Sequence, residues 1–268
     1  MWLTKTYNEK FQQEYKIESK LLETKGNKHN IEIFNAQAFG GIALIDETIM
    51  FKNFVTLQSE FLAHTAVCSH KEPKKVLVLG SFNLEIAYEL LRHLKIKVDF
   101  LQFDLKVLQS LISFLPHYQE VLDNPRFTHI PQLENEFIQQ NQERNNPYDI
   151  ILCLESKKNY ESYYNLLSED GIMIIKCPHL LLDTKEAIKT LESLDDSFKV
   201  KMPFYTPLFF DMNDCYIFAS KKYHPIADIM LQRADMLEDL QYYHANLHLS
   251  AFTLPKAIKK SLLGVAKN

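Results

Sequence analysis

Residues 76–104 constrain this chain more than any other stretch. They read VLVLGSFNLEIAYELLRHLKIKVDFLQFD. Four apolar residues end at Gly80. A helical spacing of Ile86, Leu90, Leu91 and Leu94 follows over 84–94. A second apolar run over 98–103 then closes on Asp104. Strand, turn, helix and strand within about thirty residues make a βαβ unit. A ligand of such a unit settles beyond the carboxyl ends of its strands. That directs attention to residues 80–85 and 102–104.

The same alternation continues downstream. Helical spacing is expected over 105–114, with Leu108, Leu111 and Ile112 on one face, and over 134–143, 160–167 and 184–194. Strands are expected over 127–130, 148–154 and 171–175, the last entered by a turn at Asp170-Gly171. The segment YDIILCL at 148–154 is a near-continuous apolar run, as in a strand covered on both faces of a parallel sheet. Strands over 198–202 and 216–220 suggest an antiparallel edge, and residues 226–264 read as mostly helical with a break at Leu254-Pro255. Upstream, 15–18 and 31–34 alternate like strands with one wet face, separated by turn material at 25–28. Gly40 and Gly41 form another turn before 42–45 and 48–51. A helix is expected over 56–69. The fold class is therefore α/β: a doubly wound sheet behind a small N-terminal antiparallel β domain. The expected division is 1–55 for the β-hairpin domain and 56–268 for the larger α/β domain.

With 268 residues, 46% of them hydrophobic, the chain can build these cores. A net charge of -4 argues against a nucleic-acid partner and suits a cationic small molecule. Cys68, Cys153, Cys177 and Cys215 are widely spaced with no CxxC pair. No metal is expected from that spacing, and free thiols in a reducing cytoplasm are. Residues 1–5 have no signal-peptide character, and no apolar run reaches the roughly 18–20 residues of a membrane span. The reading is a cytoplasmic protein with no membrane partner.

The turn at Gly80 is Gly-Ser-Phe-Asn-Leu-Glu. It lacks the several glycines that let backbone amides cradle a phosphate, so a dinucleotide is not expected. Gln102 and Asp104 either bond ribose hydroxyls or are a polar strand end.

From here the chain resembles the polyamine aminopropyltransferases, chiefly spermidine synthases. The family's VLVIGGGDGG is similar to residues 76–85, its EIDxxVV to 102–108, and its YDVII to 148–152. Its HExLxH is similar to 59–64 and its YYNxxxHxAAFxLP to 242–255. The resemblance implies a methyltransferase-like Rossmann domain and aminopropyl transfer from decarboxylated S-adenosylmethionine to putrescine, giving spermidine and methylthioadenosine. It implies no bound cofactor, a diamine substrate, and a homodimer or homotetramer. Carried over by position, Gly80, Ser81, Asn83, Gln102, Phe103 and Asp104 would bind the nucleoside co-substrate. Gln58, Glu60 and Phe209 would bind the amine.

The departures are specific. Asn83 replaces an aspartate, Gln102 a glutamate, Met50 a glutamine, and Gln58-Ser59 a tyrosine-histidine pair. The acidic DSSD loop becomes Leu154-Glu155-Ser156-Lys157, and PTYP becomes Pro207-Leu208-Phe209-Phe210. A primary amine has a pKa of about 10.4, so freeing its lone pair at pH 7 costs roughly 4–5 kcal/mol, and a carboxylate that takes the proton helps. Glu155 is the remaining acid, either the catalytic base or a loop acid paired with Lys157. Glu60 either binds an ammonium or is a helix-surface acid. Glu85 stands where its carboxylate would meet the donor's amine in place of the aspartate that Asn83 replaces. Phe204, Tyr205, Phe209, Tyr242 and Tyr243 either wall a methylene chain or are core. His64, His93 and His248 read as structural. Two alternatives stand beside the enzyme: a catalytically impaired nucleoside- or polyamine-binding relative, and a methyltransferase on the same fold.

Overall fold

The computed structural model describes residues 1–8, 11–142, 146–155, 160–194, 196–206 and 215–268. The N-terminal segment forms two antiparallel sheets. Strands β1 (Trp2–Asn8) and β2 (Phe11–Lys16) make one. Strands β3 (Ser19–Lys25), β4 (Asn30–Asn35), β5 (Ile42–Ile45) and β6 (Thr48–Phe51) make the other, paired in chain order. Tyr15, Ile17, Phe34, Ile42, Ile49 and Phe51 form its own apolar cluster. Sequence patterning did not identify β1 or β3. In β3 the pairing register shifts between Lys20 and Leu22, which breaks the period-two alternation and leaves Leu21 exposed.

Helix α1 (Val55–Cys68) follows these hairpins and is buried on nearly all sides. A helix covered all round carries little amphipathic signal. Beyond it lies a seven-stranded sheet of β7 (Lys75–Leu79), β8 (Lys97–Leu101), β9 (Phe127–Ile130), β10 (Tyr148–Cys153), β11 (Leu167–Cys177), β12 (Val200–Tyr205) and β13 (Cys215–Ser220). Its order is β12-β13-β11-β10-β7-β8-β9. From β9 to β11 neighbours run parallel, and β13 and β12 add antiparallel pairs at the edge. The chain winds outward through β7, β8 and β9, then returns to β10 beside β7. That reversal opens a crevice beyond the strand ends.

One apolar cluster on the α1 face holds Val76, Val78, Ile150, Leu152, Ile172 and Ile174. The opposite face holds Leu77, Leu79, Ile151, Cys153, Met173 and Ile175. Strands so covered bear out the continuous apolar runs. Helices α2 (Glu85–Leu91), α3 (Leu105–Gln109), α4 (Tyr118–Asp123), α5 (Glu134–Gln142), α6 (Glu161–Leu166) and α7 (Thr184–Glu192) connect the strands. Three short helices follow the sheet: α8 (Leu231–Asp235), α9 (Ala245–Ala251) and α10 (Lys256–Ser261).

Four expectations change. Helix α2 stops before Leu94, which is exposed in the turn that follows. Helix α3 is one short piece, and Ile112 is exposed among the turns after it. Asp170-Gly171 is no turn: β11 runs through it, and its register against β10 shifts between Tyr148 and Ile150. Residues 226–264 are less helical than their composition suggests. Buried polar side chains and loop contacts fix that segment instead. Glu60, for example, accepts the amides of Gln241, Tyr242 and Tyr243. The cysteines are buried free thiols, as expected.

Candidate active site

A cavity of about 570 Å³ lies beyond the carboxyl ends of the central strands, between the large sheet and the N-terminal hairpins. Sheet order divides its floor. Gly80–Asn83 follow β7, Gln102 and Phe103 follow β8, and Gln132–Glu134 follow β9. On the other side, Leu154 and Glu155 follow β10, Lys176 ends β11 and Tyr216 begins β13. Helix α1 supplies Gln58 and Leu62, and the β5–β6 hairpin supplies Asp46 through Met50 as a wall.

The turn after β7 is held by its own side chains. Gly80 has φ +69°, a left-handed conformation that suits glycine. A Cβ there would stand 2.5 Å from Glu155 Cγ and 2.8 Å from the Glu155 amide nitrogen. The bare glycine therefore lets the 154–155 segment lie directly on the turn and fixes Glu155 over it. Ser81 Oγ accepts the Asn83 amide at 3.0 Å, and Asn83 Oδ1 accepts the Glu85 amide at 3.1 Å, which starts α2. Asn83 Nδ2 donates to Ser59 Oγ at 2.9 Å, and that hydroxyl donates to the Val55 carbonyl at 2.6 Å. Gln102 Nε2 donates to the Ser81 carbonyl at 3.1 Å, while its Oε1 accepts the Asp104 amide at 3.0 Å. The two strand ends are thus tied together, with Gly80, Ser81, Asn83, Gln102 and Phe103 all on the cavity wall.

Three acids expected near the ligand point elsewhere. Asp104 is fully buried, and its Oδ2 accepts the amides of Lys28 at 2.9 Å and His29 at 3.0 Å. Burial opposes its charge. The backbone N–H groups of Lys28, His29, Asn27 and Val107 together outweigh that and hold the carboxyl below the ordinary range. It clamps the β3–β4 turn rather than a ribose. Glu60 is no helix-surface acid and no ammonium ligand. It is 1% exposed, and its three backbone donors already satisfy it. Glu85, also buried, accepts the His117 amide at 2.9 Å and pairs with His117 Nδ1 at 2.7 Å. Its carboxylate is thereby turned away from the cavity and cannot stand in for an aspartate at position 83. A carboxylate taken out of water needs such donors.

Gln58 lines the cavity and donates through Nε2 to the Tyr216 hydroxyl at 3.1 Å. Phe209, with the rest of 207–214, lies outside the described residues, as do Ser156 and Lys157. Phe204 and Tyr243 are core, and Tyr242 packs edge-on against Phe61 away from the cavity lining. The histidines are structural: His64 joins Glu89 and His93 at 3.1 Å each, and His248 joins the Tyr243 hydroxyl at 2.8 Å.

The cavity also holds residues that the sequence motifs did not single out. His29 stands edge-on to Phe82, with its Nδ1 2.6 Å from Asp46 Oδ2. Glu134, at the start of α5, accepts the Tyr163 hydroxyl. Lys176 and Lys5 bring two ammonium groups. The signal for His29 was its place beside the Gly26 turn, legible only once Asp104 is seen to hold that turn. Lys176 was legible as a charge ending an apolar strand.

Comparison with known proteins agrees with this arrangement. Residues 56–230 match the spermine/spermidine synthase domain, and residues 1–53 match the spermidine synthase tetramerisation domain. A polyamine aminopropyltransferase of Helicobacter pylori (strain G27) is 38% identical over 262 residues, covering 97% of both chains. One from Streptococcus uberis is 28% identical, covering 98% of this chain and 97% of its own. The crystal structure of the Thermotoga maritima spermidine synthase superimposes with a TM-score of 0.87 at 23% identity, covering 99% of this chain and 94% of that one. A spermidine synthase in complex with the transition-state analogue AdoDATO gives 0.87 at 22%, with 98% and 94% covered. The fold is the Rossmann-like one behind small antiparallel sheets.

Proposed function

The chain belongs to the spermine/spermidine synthase family, and from that premise we propose that it moves the aminopropyl group of decarboxylated S-adenosylmethionine to putrescine, releasing spermidine and methylthioadenosine. The observation that carries this reading is the packing of Glu155 on the Gly80 turn, inside the cavity at the sheet's switch point. In the reaction the amine lone pair forms a bond to the carbon beside the sulfonium. The carbon–sulfur pair goes to sulfur, which becomes a neutral thioether, and the new ammonium gives up a proton. Such a displacement needs a neutral nucleophile held in line, and no bound cofactor.

In this reading Gly80, Ser81, Asn83, Gln102 and Phe103 flank the nucleoside. Gln58 contacts the amine, with Phe209 proposed beside it, and Glu155 takes the proton. Asp104 acts one step back, by holding the turn that carries Lys28 and His29 over the cavity. The division at residues 55 and 56 is proposed as the domain boundary. The family description of residues 1–53 supports self-association, which we assign to a homotetramer or homodimer built through the hairpins. Among the described residues no helix is long and apolar enough to cross a membrane, and the buried free thiols favour the cytoplasm.

The deciding experiment supplies purified protein with decarboxylated S-adenosylmethionine and putrescine and measures methylthioadenosine. Release with one spermidine per thioether formed is expected. No release with any diamine or triamine would leave the nucleoside- or polyamine-binding reading, which Leu154 in place of an acid at the strand end favours.

A further inference from the structure

The acceptor side of the cavity is not purely acidic. Lys176 lies directly across from Tyr216 in the β11–β13 ladder, and it shares its face of β11 with Ile172 and Ile174. Its side chain therefore leaves the sheet on the α1 side, where Leu154, Gln58 and Tyr216 also line the cavity. It is partly buried and has no ion-pair or hydrogen-bond partner among the described residues. The polar groups that line the same cavity are the Gln58 amide from α1, the Tyr216 hydroxyl from β13, Glu155 after β10, Glu134 of α5, Lys5 from β1, Lys28 and His29 from the β3–β4 turn, and Asp46 and Glu47 from the β5–β6 turn. Asp46 is already engaged by His29 and by the Asn30 amide. Lys5 is 7% exposed and adds a second ammonium, with its Nζ 4.7 Å from the Tyr7 ring centre.

Neighbouring strands stand about 4.8 Å apart. Lys176 is therefore two strands from the Gly80 turn and one from the end of β10, where Glu155 sits. An acceptor lying across these strand ends on the α1 side would have this ammonium one to two strand spacings away, about 5–10 Å. We propose that Lys176 favours the free-base form of the acceptor amine, doing by repulsion part of what a carboxylate does by proton abstraction. A like charge nearby disfavours a second ammonium, and a protein lysine is activated as a nucleophile beside another cation in the same way. The proton leaves the acceptor for water before attack. The lone pair so freed forms the nitrogen–carbon bond as the carbon–sulfur bond breaks, and nothing is oxidised or reduced. The cost is weaker binding of the cationic acceptor. The inference rests on the aminopropyl-transfer reading and names a device that works alongside Glu155.

The test compares wild type with Lys176→Gln and Lys176→Arg, using two readouts. Rate against pH at saturating putrescine is expected to show the acid limb of Lys176→Gln about one pH unit higher, equal to about a tenfold lower rate on that limb. Calorimetric titration of putrescine into the protein with methylthioadenosine is expected to show about tenfold tighter binding by Lys176→Gln, while Lys176→Arg follows wild type in both. A folded Lys176→Gln protein with an unmoved acid limb and unchanged affinity overturns the proposal, as does Lys176→Arg behaving like Lys176→Gln. Absence of turnover by wild type would overturn the transfer reading only. The binding arm would still decide the charge effect, because unchanged affinity in Lys176→Gln overturns it without any chemistry.

Discussion

Removing the Asp104 carboxylate is expected to loosen the N-terminal roof of the active site. Asp104 stands just past the end of β8, yet its Oδ2 accepts two amides from the turn between β3 and β4, at 2.9 and 3.0 Å. A Cβ on Gly26 would overlap the same carboxylate, so that turn is built around it. Hydrogen bonds to a charged acceptor contribute about 1.5–3 kcal/mol each. Asp104→Ala leaves both donors unmatched and is expected to cost about 3–5 kcal/mol. At about 2–4 °C per kcal/mol in a chain of this size, that lowers Tm by roughly 6–20 °C. Asp104→Asn keeps an oxygen for the Lys28 and His29 amides and gives up the charge. It loses only the charge assistance, about 1–2 kcal/mol. Gly26→Ala should resemble Asp104→Ala. Thermal scans at one fixed protein concentration check the order, since assembly shifts apparent stability. Lys28 and His29 line the cavity, so the donor KM should rise in parallel. An Asp104→Ala protein with wild-type Tm and wild-type donor KM would refute the clamp.

Glu155→Gln should lower kcat by about 10²–10⁴ with little change in Tm, since general-base catalysis contributes in that range; single-turnover methylthioadenosine release measures it. Burial pushes the imidazoles of His64 and His93 down to about 3 and that of His248 down to about 4. Their folded values lie below the unfolded value of about 6.5, so their contribution is full above that pH and is lost as pH falls toward 3–4, at about 1.4 kcal/mol per pH unit for each. Urea midpoints between pH 7.5 and 5 should fall accordingly, and a flat profile would contradict neutral burial. Glu60→Ala should cost about 3–5 kcal/mol by stranding three amides, and calorimetry should show the loss with no change in acceptor KM at temperatures where the protein stays folded.

The doubly wound sheet was legible because its strands are buried on both faces: 76–79 are apolar throughout and 148–154 nearly so, and little else produces such runs between helical spacings. Helix ends were less legible. The apolar spacing that named Leu94 and Ile112 continues past the point where the chain turns, and periodicity does not report a stop. The site was legible by position and less so by role. Gly80, Ser81, Asn83, Gln102, Gln58 and Glu155 do line one cavity. Asp104, Glu60 and Glu85 carry the same residue type a cationic ligand would want, but each finds backbone donors from a segment far away in sequence. Partners separated by 32 to 183 positions leave no local signal.

The departures around Asn83 follow from one another. Ser59 gives its only hydroxyl proton to the Val55 carbonyl, at 2.6 Å. What it then offers Asn83 is a lone pair, and position 83 must answer with a donor. An amide does so at 2.9 Å, while its oxygen still accepts the Glu85 amide that starts α2. An aspartate would set acceptor against acceptor in a site 5% exposed, unless the serine gave up its bond to the helix. Once serine occupies position 59, therefore, asparagine is the residue that satisfies both sides. Glu85 does not supply a negative charge in its stead, because its carboxylate is bound to His117. Glu155 is held over the turn because Gly80 has no side chain to exclude it. With Glu155 the one acid of residues 154–157, the cation-repelling Lys176 on the neighbouring strand is a consistent partner. Fewer acids hold the acceptor less tightly, and a nearby ammonium makes the amine that does bind easier to deprotonate.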